Sequence, residues 1–315
     1  MTNLLSHCTL CPRNCKVDRL NNKLGFCNSN ENIKISRVSL HNWEEPCISG
    51  TKGSGTVFFA NCNLRCVFCQ NHSISQEGFG KEVSVERLSE IFIEQQERGA
   101  HNINLVTPTH YAAQIIEAIK LSKAKGLNIP ILYNSNGYES VETIKLLKGY
   151  IDVYLPDFKY FADKYAIKYS HAPNYFEIAA KAINEMVNQV GEAQFDENNL
   201  IKKGVIIRHL MLPGLLFDSK KVIDYIYRTF GNKVYLSLMN QYTPMFNAEK
   251  YPEINKPLNP KHYDALIDYS LSIGVKNGFI QEPGTNSESF VPEFDLRGVE
   301  AGAEYKVQST EYSDG

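Results

Sequence analysis

From about residue 56 onward the chain alternates between two hydrophobic periods. Short β-branched or aromatic runs predict strands at 56–61, 102–107, 129–134, 151–155, 205–210, 233–239 and 276–281. Between them, apolar residues recur at helical spacing. The stretch 85–98 places Leu88, Ile91 and Phe92 on one face, with Ser84 to cap its start and Gly99 to stop it. The stretch 110–125 aligns Ile115, Ile116 and Ile119 ahead of Gly126. Helices are also predicted at 141–147, 174–190, 219–230 and 261–272. Strands alternating with helices through short loops build right-handed βαβ units on a parallel sheet, an α/β fold. About six such units suit a partial (β/α)6 barrel, with a doubly wound sheet as the alternative. In both, function gathers in the loops after the strand C-termini. The expected organisation is a Cys-rich segment at 1–55, a core barrel at 56–297 and a polar tail at 298–315.

Composition adds exclusions. The 315 residues are 43% hydrophobic and 22% charged, with net charge −2. Lys and Arg are scattered singly, which argues against nucleic acid or an anionic membrane as a partner. The first residues lack a basic start and a long apolar stretch, so no signal peptide is read. The most apolar window, 204–217, is interrupted by Arg208, His209 and Pro213 and is too short to span a membrane. Eight cysteines without a secretion signal read as thiolate metal ligands in a reducing cytoplasm rather than as a disulfide framework.

Three of those cysteines, Cys62, Cys66 and Cys69, occupy one loop after the first predicted strand, spaced C-x3-C-x2-C. Cys62 to Cys66 spans at most about 13 Å when extended, so the loop must curl to bring three sulfurs to one cluster. A four-iron cube held by cysteines normally takes four. Three leave an iron open to a reacting molecule, by the same logic as a catalytic zinc. A zinc site is the competing reading, with His72 as a fourth ligand. Nearer the amino terminus, Cys8, Cys11, Cys15 and Cys27 form C-x2-C-x3-C-x11-C, with Pro12 and Gly25 suited to tight turns. They could hold zinc or a second iron–sulfur cluster, or be small buried side chains. Cys47 is left over, as a fifth ligand candidate or a buried thiol.

The C-x3-C-x2-C loop resembles that of the radical S-adenosylmethionine (radical SAM) superfamily. The stretches Glu45 to Gly50, Gly53 to Thr56 and Cys62 to Asn71 resemble an uncharacterised subgroup related to pyruvate formate-lyase activating enzyme. The resemblance implies a radical SAM-type barrel and a 4Fe–4S cluster whose open iron binds S-adenosylmethionine. It also implies reductive cleavage to a 5′-deoxyadenosyl radical that abstracts hydrogen. Where relatives carry Gly-Gly-Glu for the methionine amino group, this chain has Thr107-Pro108-Thr109-His110, so Thr107 or Thr109 would supply the acceptor. His110 reads as a helix-start residue. Asn134-Ser135-Asn136-Gly137 is similar to the activating enzymes' Asp-Thr-Asn-Gly, and Asp157-Phe158-Lys159 to their Asp-x-Lys. By that match Asp157, Lys159 and Ser135 bind near the methionine carboxylate, with a monovalent cation site weakened by Asn134. Without the match, Asp157 and Lys159 could be a plain surface ion pair. Arg208 aligns with an arginine near the cofactor, where a guanidinium suits a carboxylate; a buried structural arginine is the competing reading. Glu282 could face the cavity.

Two functions follow as expectations. The first is a hydrogen-abstracting enzyme fed by an electron donor such as flavodoxin or ferredoxin. Its substrate is open, a protein among the options, and activation of a glycyl-radical enzyme is the family-suggested subclass. The second is a non-catalytic iron–sulfur electron-transfer or redox-sensing protein, which should ligate all four irons.

Overall fold

A computed structural model describes residues 2–281 and 292–302. Its strands are β1 (Ile33–His41), β2 (Ser54–Phe59), β3 (Lys81–Val83), β4 (Ile103–Val106), β5 (Ile131–Ser135), β6 (Val153–Pro156), β7 (Gln194–Phe195), β8 (Ile201–Leu210), β9 (Tyr235–Met239) and β10 (Gly278–Ile280). They lie in the order β10-β9-β8-β6-β5-β4-β2-β1-β3, with β7 pairing to β8 off that path. Every pairing from β2 through β10 along that order is parallel. Helices Val85–Glu97, Ala112–Ala124, Val141–Leu146, Tyr175–Val190, Leu216–Phe230 and Pro260–Ser272 make the connections, close to the bounds that apolar spacing predicts. The Ser84 side chain accepts from the Arg87 N–H and caps the first of them.

Strand alternation divides the apolar residues between two layers. Ile131, Tyr133, Tyr154, Val205 and Ile207 pack outward into the helix layer. Leu132, Val153, Leu155 and Ile206 face inward and meet Cys47 and Ile48. Those two come from the short helix Pro46–Ser49, which plugs the lower lumen of the curled sheet. A doubly wound sheet would carry crossover helices on both faces. Among the described residues the inward face carries this turn and a cavity rather than a second helix layer, the arrangement of an open, partial barrel.

The sheet also crosses the boundary expected at residue 55. β1 pairs antiparallel with β2 from Ile35↔Phe59 to His41↔Ser54 and holds β3 on its other edge. The first 55 residues therefore supply a strand paired on both sides and the lumen plug. A helix at Asp163–Ser170, not predicted, buries Ala166 and Tyr169. No helix among the described residues is long and apolar enough to cross a membrane. Glu282 and residues 303–315 of the expected tail lie outside the described residues.

Candidate active site

The three-cysteine loop follows β2 through Asn61, whose φ of 73° turns the chain out of the strand. Leu64, Val67 and Phe68 are buried in the core. The Arg65 and Val67 amides donate to the Ser170 and Tyr169 carbonyls at 3.2 and 2.9 Å. The apolar residues thus anchor the loop while Cys62, Cys66 and Cys69 face a cavity of about 480 Å³. Each sulfur has a polar neighbour. Cys62 Sγ accepts from the Leu64 N–H and from Asn136 Nδ2, both at 3.4 Å. Cys66 Sγ lies 3.0 Å from Ser170 Oγ, and Cys69 Sγ 3.2 Å from Ser75 Oγ. Burial pushes the Cys62 thiol up to about 12 and the Cys66 thiol to about 11, and raises Cys69 as well. Thiolates here need a strong positive charge beside them, which a metal supplies.

The same cavity is lined by Thr107, Ser135, Asp157, Lys159, Arg208, Glu44 and Glu45. Lys159 Nζ lies 2.5 Å from Asp157 Oδ2. Burial opposes the Lys159 charge, but Asp157 and the nearby Cys66 outweigh it and raise its pKa. The Tyr175 hydroxyl ties this corner together: it accepts from the Lys159 N–H at 3.0 Å and is shared between the Asn136 and Asp157 carbonyls at 2.9 and 3.0 Å. Gly137 permits the approach. Its φ is +77°, and a Cβ there would fall 2.0 Å from the Asp157 oxygen.

Residues 56–226, just over half the chain, match the family model described as "Radical SAM superfamily". The chain belongs to the radical SAM superfamily. An uncharacterized protein of Methanocaldococcus jannaschii, MJ0674, is 33% identical over 279 residues, which cover 84% of this chain and 75% of that protein. The structure of Streptococcus suis SuiB bound to S-adenosylmethionine is similar with TM-score 0.50 at 15% identity. That match covers 71% of this chain, which spans only 49% of SuiB. Methylornithine synthase (PylB) matches with TM-score 0.48 at 12% identity, over 75% of each chain. The SuiB likeness shows the shared fold.

Radical SAM membership implies an enzyme that uses a 4Fe–4S cluster and S-adenosylmethionine, and the donor set fits. The three loop thiols face one cavity with Asn136, Ser170 and Ser75 beside their sulfurs, a donor set that would hold three corners of a cube. His72, the fourth ligand of the zinc reading, is not among the residues that line the cavity. Its ring stacks on Phe246 at 4.7 Å between centroids, and its Nε2 lies 3.7 Å from Glu77.

Not every predicted residue of this radical SAM chain reaches the cavity with a group to offer. Thr109 is fully buried and donates at 2.6 Å to Glu139, away from the cavity lining. Thr107 does line it, with φ of 60° and its N–H on the Asn134 carbonyl at 2.9 Å. Arg208 lines it too, but the fork expected for a methionine carboxylate is already taken: Nε donates to Glu45 at 2.9 Å, and NH2 contacts both Glu45 and Glu44. His110 is structural. Its Nε2 lies 2.8 Å from the Ala60 carbonyl, and burial holds its pKa down to about 3. Cys47 is a buried thiol of the lumen plug. Cys8, Cys11 and Cys27 are buried and Cys15 is half-buried. Their backbone folds as a knuckle, with Cys8 N–H on Val17 O and Lys16 N–H on Cys8 O, both 3.0 Å.

Sequence reasoning gave no role to Glu44, Tyr175, Ser170, Ser75 or Asn136. Glu45 stood in the stretch that carries the family resemblance, yet no local spacing marks it as a partner of an arginine 163 residues away.

Proposed function

We propose that this chain binds a 4Fe–4S cluster through Cys62, Cys66 and Cys69 and cleaves S-adenosylmethionine reductively to a 5′-deoxyadenosyl radical that takes hydrogen from a substrate in the same cavity. The observation that carries the reading is the convergence of these three thiols on a cavity of about 480 Å³, the size of an ordinary cofactor or ligand site.

The chain's own residues then have defined work. Asn136, Ser170 and Ser75 hydrogen-bond the sulfurs and so tune and orient them. Lys159, buried beside Cys66 and Cys69, offers an ammonium to the methionine carboxylate, with Asp157 holding it in place. Ser135 and the Thr107 backbone supply acceptors for the amino group. Arg208 positions the floor and does not bind the cofactor carboxylate. Phe58, Leu210 and Met239 supply apolar wall that excludes water. A flavodoxin or ferredoxin in the same reducing cytoplasm is the proposed electron donor. The resemblance to activating enzymes makes a glycine of a partner protein one hydrogen source to assay, alongside small molecules.

The test is anaerobic reconstitution, reduction with dithionite, and chromatography for 5′-deoxyadenosine. Wild type is expected to form it, and Cys66→Ala to lose both the cluster absorbance and the product. A fully clustered wild-type sample that forms none would leave the electron-carrier reading in its place.

A further inference from the structure

Two arginines grip the cysteine loop from outside the cavity. Arg13, from the amino-terminal knuckle, donates its Nε–H to the Asn63 carbonyl at 2.9 Å and a terminal N–H to the His171 carbonyl at 2.6 Å. Arg65, from the loop itself, donates to the Cys62 and Leu64 carbonyls at 3.2 and 3.3 Å, and to the Phe26 carbonyl beside Cys27. The consecutive carbonyls of Cys62, Asn63 and Leu64 are thus all turned towards guanidinium groups. With those oxygens drawn away, the Leu64 N–H is left facing Cys62 Sγ at 3.4 Å. Both guanidinium carbons also sit over one ring, that of Phe26, 3.7 Å from its centroid for Arg13 and 4.8 Å for Arg65.

Two like charges on one ring repel each other, and no acid offsets them. Their hydrogen bonds end on neutral carbonyls, and among the described residues neither arginine forms an ion pair with a carboxylate. Glu139, which lies within electrostatic range of Cys11, is engaged by Thr109 and Tyr133 instead. A guanidinium does not shed its proton in a protein, so both charges persist. Burial lowers the Arg13 pKa; Tyr138, Cys11 and Cys62 oppose that, and Arg65 adds to it. Arg13 is therefore within reach of both cysteine sets. A half-buried cation pair without an acid calls for another source of negative charge, and thiolates on a metal at Cys62, Cys66 and Cys69 supply it.

We infer that Arg13 and Arg65 poise the cluster at Cys62, Cys66 and Cys69 for reduction: their paired positive charge stabilises the electron that the cluster receives and so raises its reduction potential. Net charge and hydrogen bonds around the sulfurs set the potentials of such clusters. The added electron brings negative charge within range of both guanidinium groups, which lowers its energy. Neither arginine lines the cavity, so both act through the loop as positioning residues. The inference rests on the 4Fe–4S cluster of the proposed function and gives the amino-terminal segment a part in its chemistry.

The experiment is a redox titration of the anaerobically reconstituted full chain, followed by electron paramagnetic resonance. The signal read is the one that changes when S-adenosylmethionine is added, which separates the cavity cluster from any iron at the knuckle. Arg13→Gln is expected to keep that signal and move its midpoint to more negative potential. At the wild-type midpoint, its ratio of reduced to oxidised cluster should fall about fivefold or more. Arg13→Lys, which keeps the charge, should recover most of that loss, and Arg65→Gln should shift the midpoint in the same direction as Arg13→Gln. If Arg13→Gln takes up no cluster, Arg65→Gln carries the test. An unmoved midpoint in either clustered Gln variant, an Arg13→Lys midpoint as low as that of Arg13→Gln, or loss of the cluster from both Gln variants would overturn the proposal. Deoxyadenosine is measured on the same wild-type preparation. Product with unmoved midpoints removes this inference alone, and shifted midpoints without product remove the radical-cleavage reading alone.

Discussion

At the scale of single residues, burial sets the chemistry. Glu139 lies beneath the site, receiving the Thr109 hydroxyl at 2.6 Å and the Tyr133 hydroxyl at 3.3 Å. Burial outweighs those bonds and raises its pKa from 4.5 to about 7. The folded chain therefore keeps a proton that the unfolded chain has released. Its contribution to stability is fully present below the unfolded value and is lost as pH rises to about 7, roughly 3 kcal/mol over that window. Glu139→Gln should flatten this decline relative to wild type and be the more stable protein above pH 7; denaturant melts at pH 5, 6, 7 and 8 check it, and parallel curves would refute it. The three loop cysteines were legible because ligand spacing is local. Thr109 stood beside Thr107 as an acceptor through the family resemblance alone, and no local spacing shows that its hydroxyl turns inward to Glu139. The partners of Arg208 were illegible for a similar reason: both acids arrive from before the barrel, and only the folded sheet brings them to β8.

At the scale of elements, most of the βαβ units could be read from alternation alone, since each strand and helix carries its own period. β1 was missed although Ile33, Ile35 and Val38 are buried. Its pattern slips where the register shifts between Ile35 and Arg37, and the neighbouring cysteines drew a reading as a metal segment. That segment keeps a metal expectation. Gly25 lies so close to Cys15 that a Cβ would stand 2.6 Å from its sulfur, and the knuckle packs a small apolar cluster of Leu5, Leu10, Val17 and Leu20 against Ala113 of the neighbouring helix. We propose a zinc ion or second cluster at Cys8, Cys11, Cys15 and Cys27. Elemental analysis of the reconstituted chain should find metal beyond four irons, as either zinc or iron, and a Cys11→Ser, Cys15→Ser variant should lose that excess alone. Four irons and nothing more would make these thiols packing groups.

At the scale of the whole molecule, the barrel is a cup. Cys47 and Ile48 fill its lower lumen, Glu44 and Arg208 cross it above them, and the three-cysteine loop lies at the strand C-terminal end. The general position of the site could be read in advance, because parallel α/β folds place function at that end. The plug could not, since a four-residue helix has too few residues to declare a face. Its consequence concerns time rather than position. A cup filled from one rim imposes an order: the molecule that lies deeper must enter first and depart last. Turnover should therefore show compulsory sequence, with a hydrogen-donating substrate that lies toward Glu44 and Arg208 ahead of S-adenosylmethionine at the cysteine side, and deoxyadenosine released before the product. Product-inhibition patterns for deoxyadenosine at varied concentrations of each reactant would reveal it, and random-order patterns would mean the two ligands pass one another at the rim.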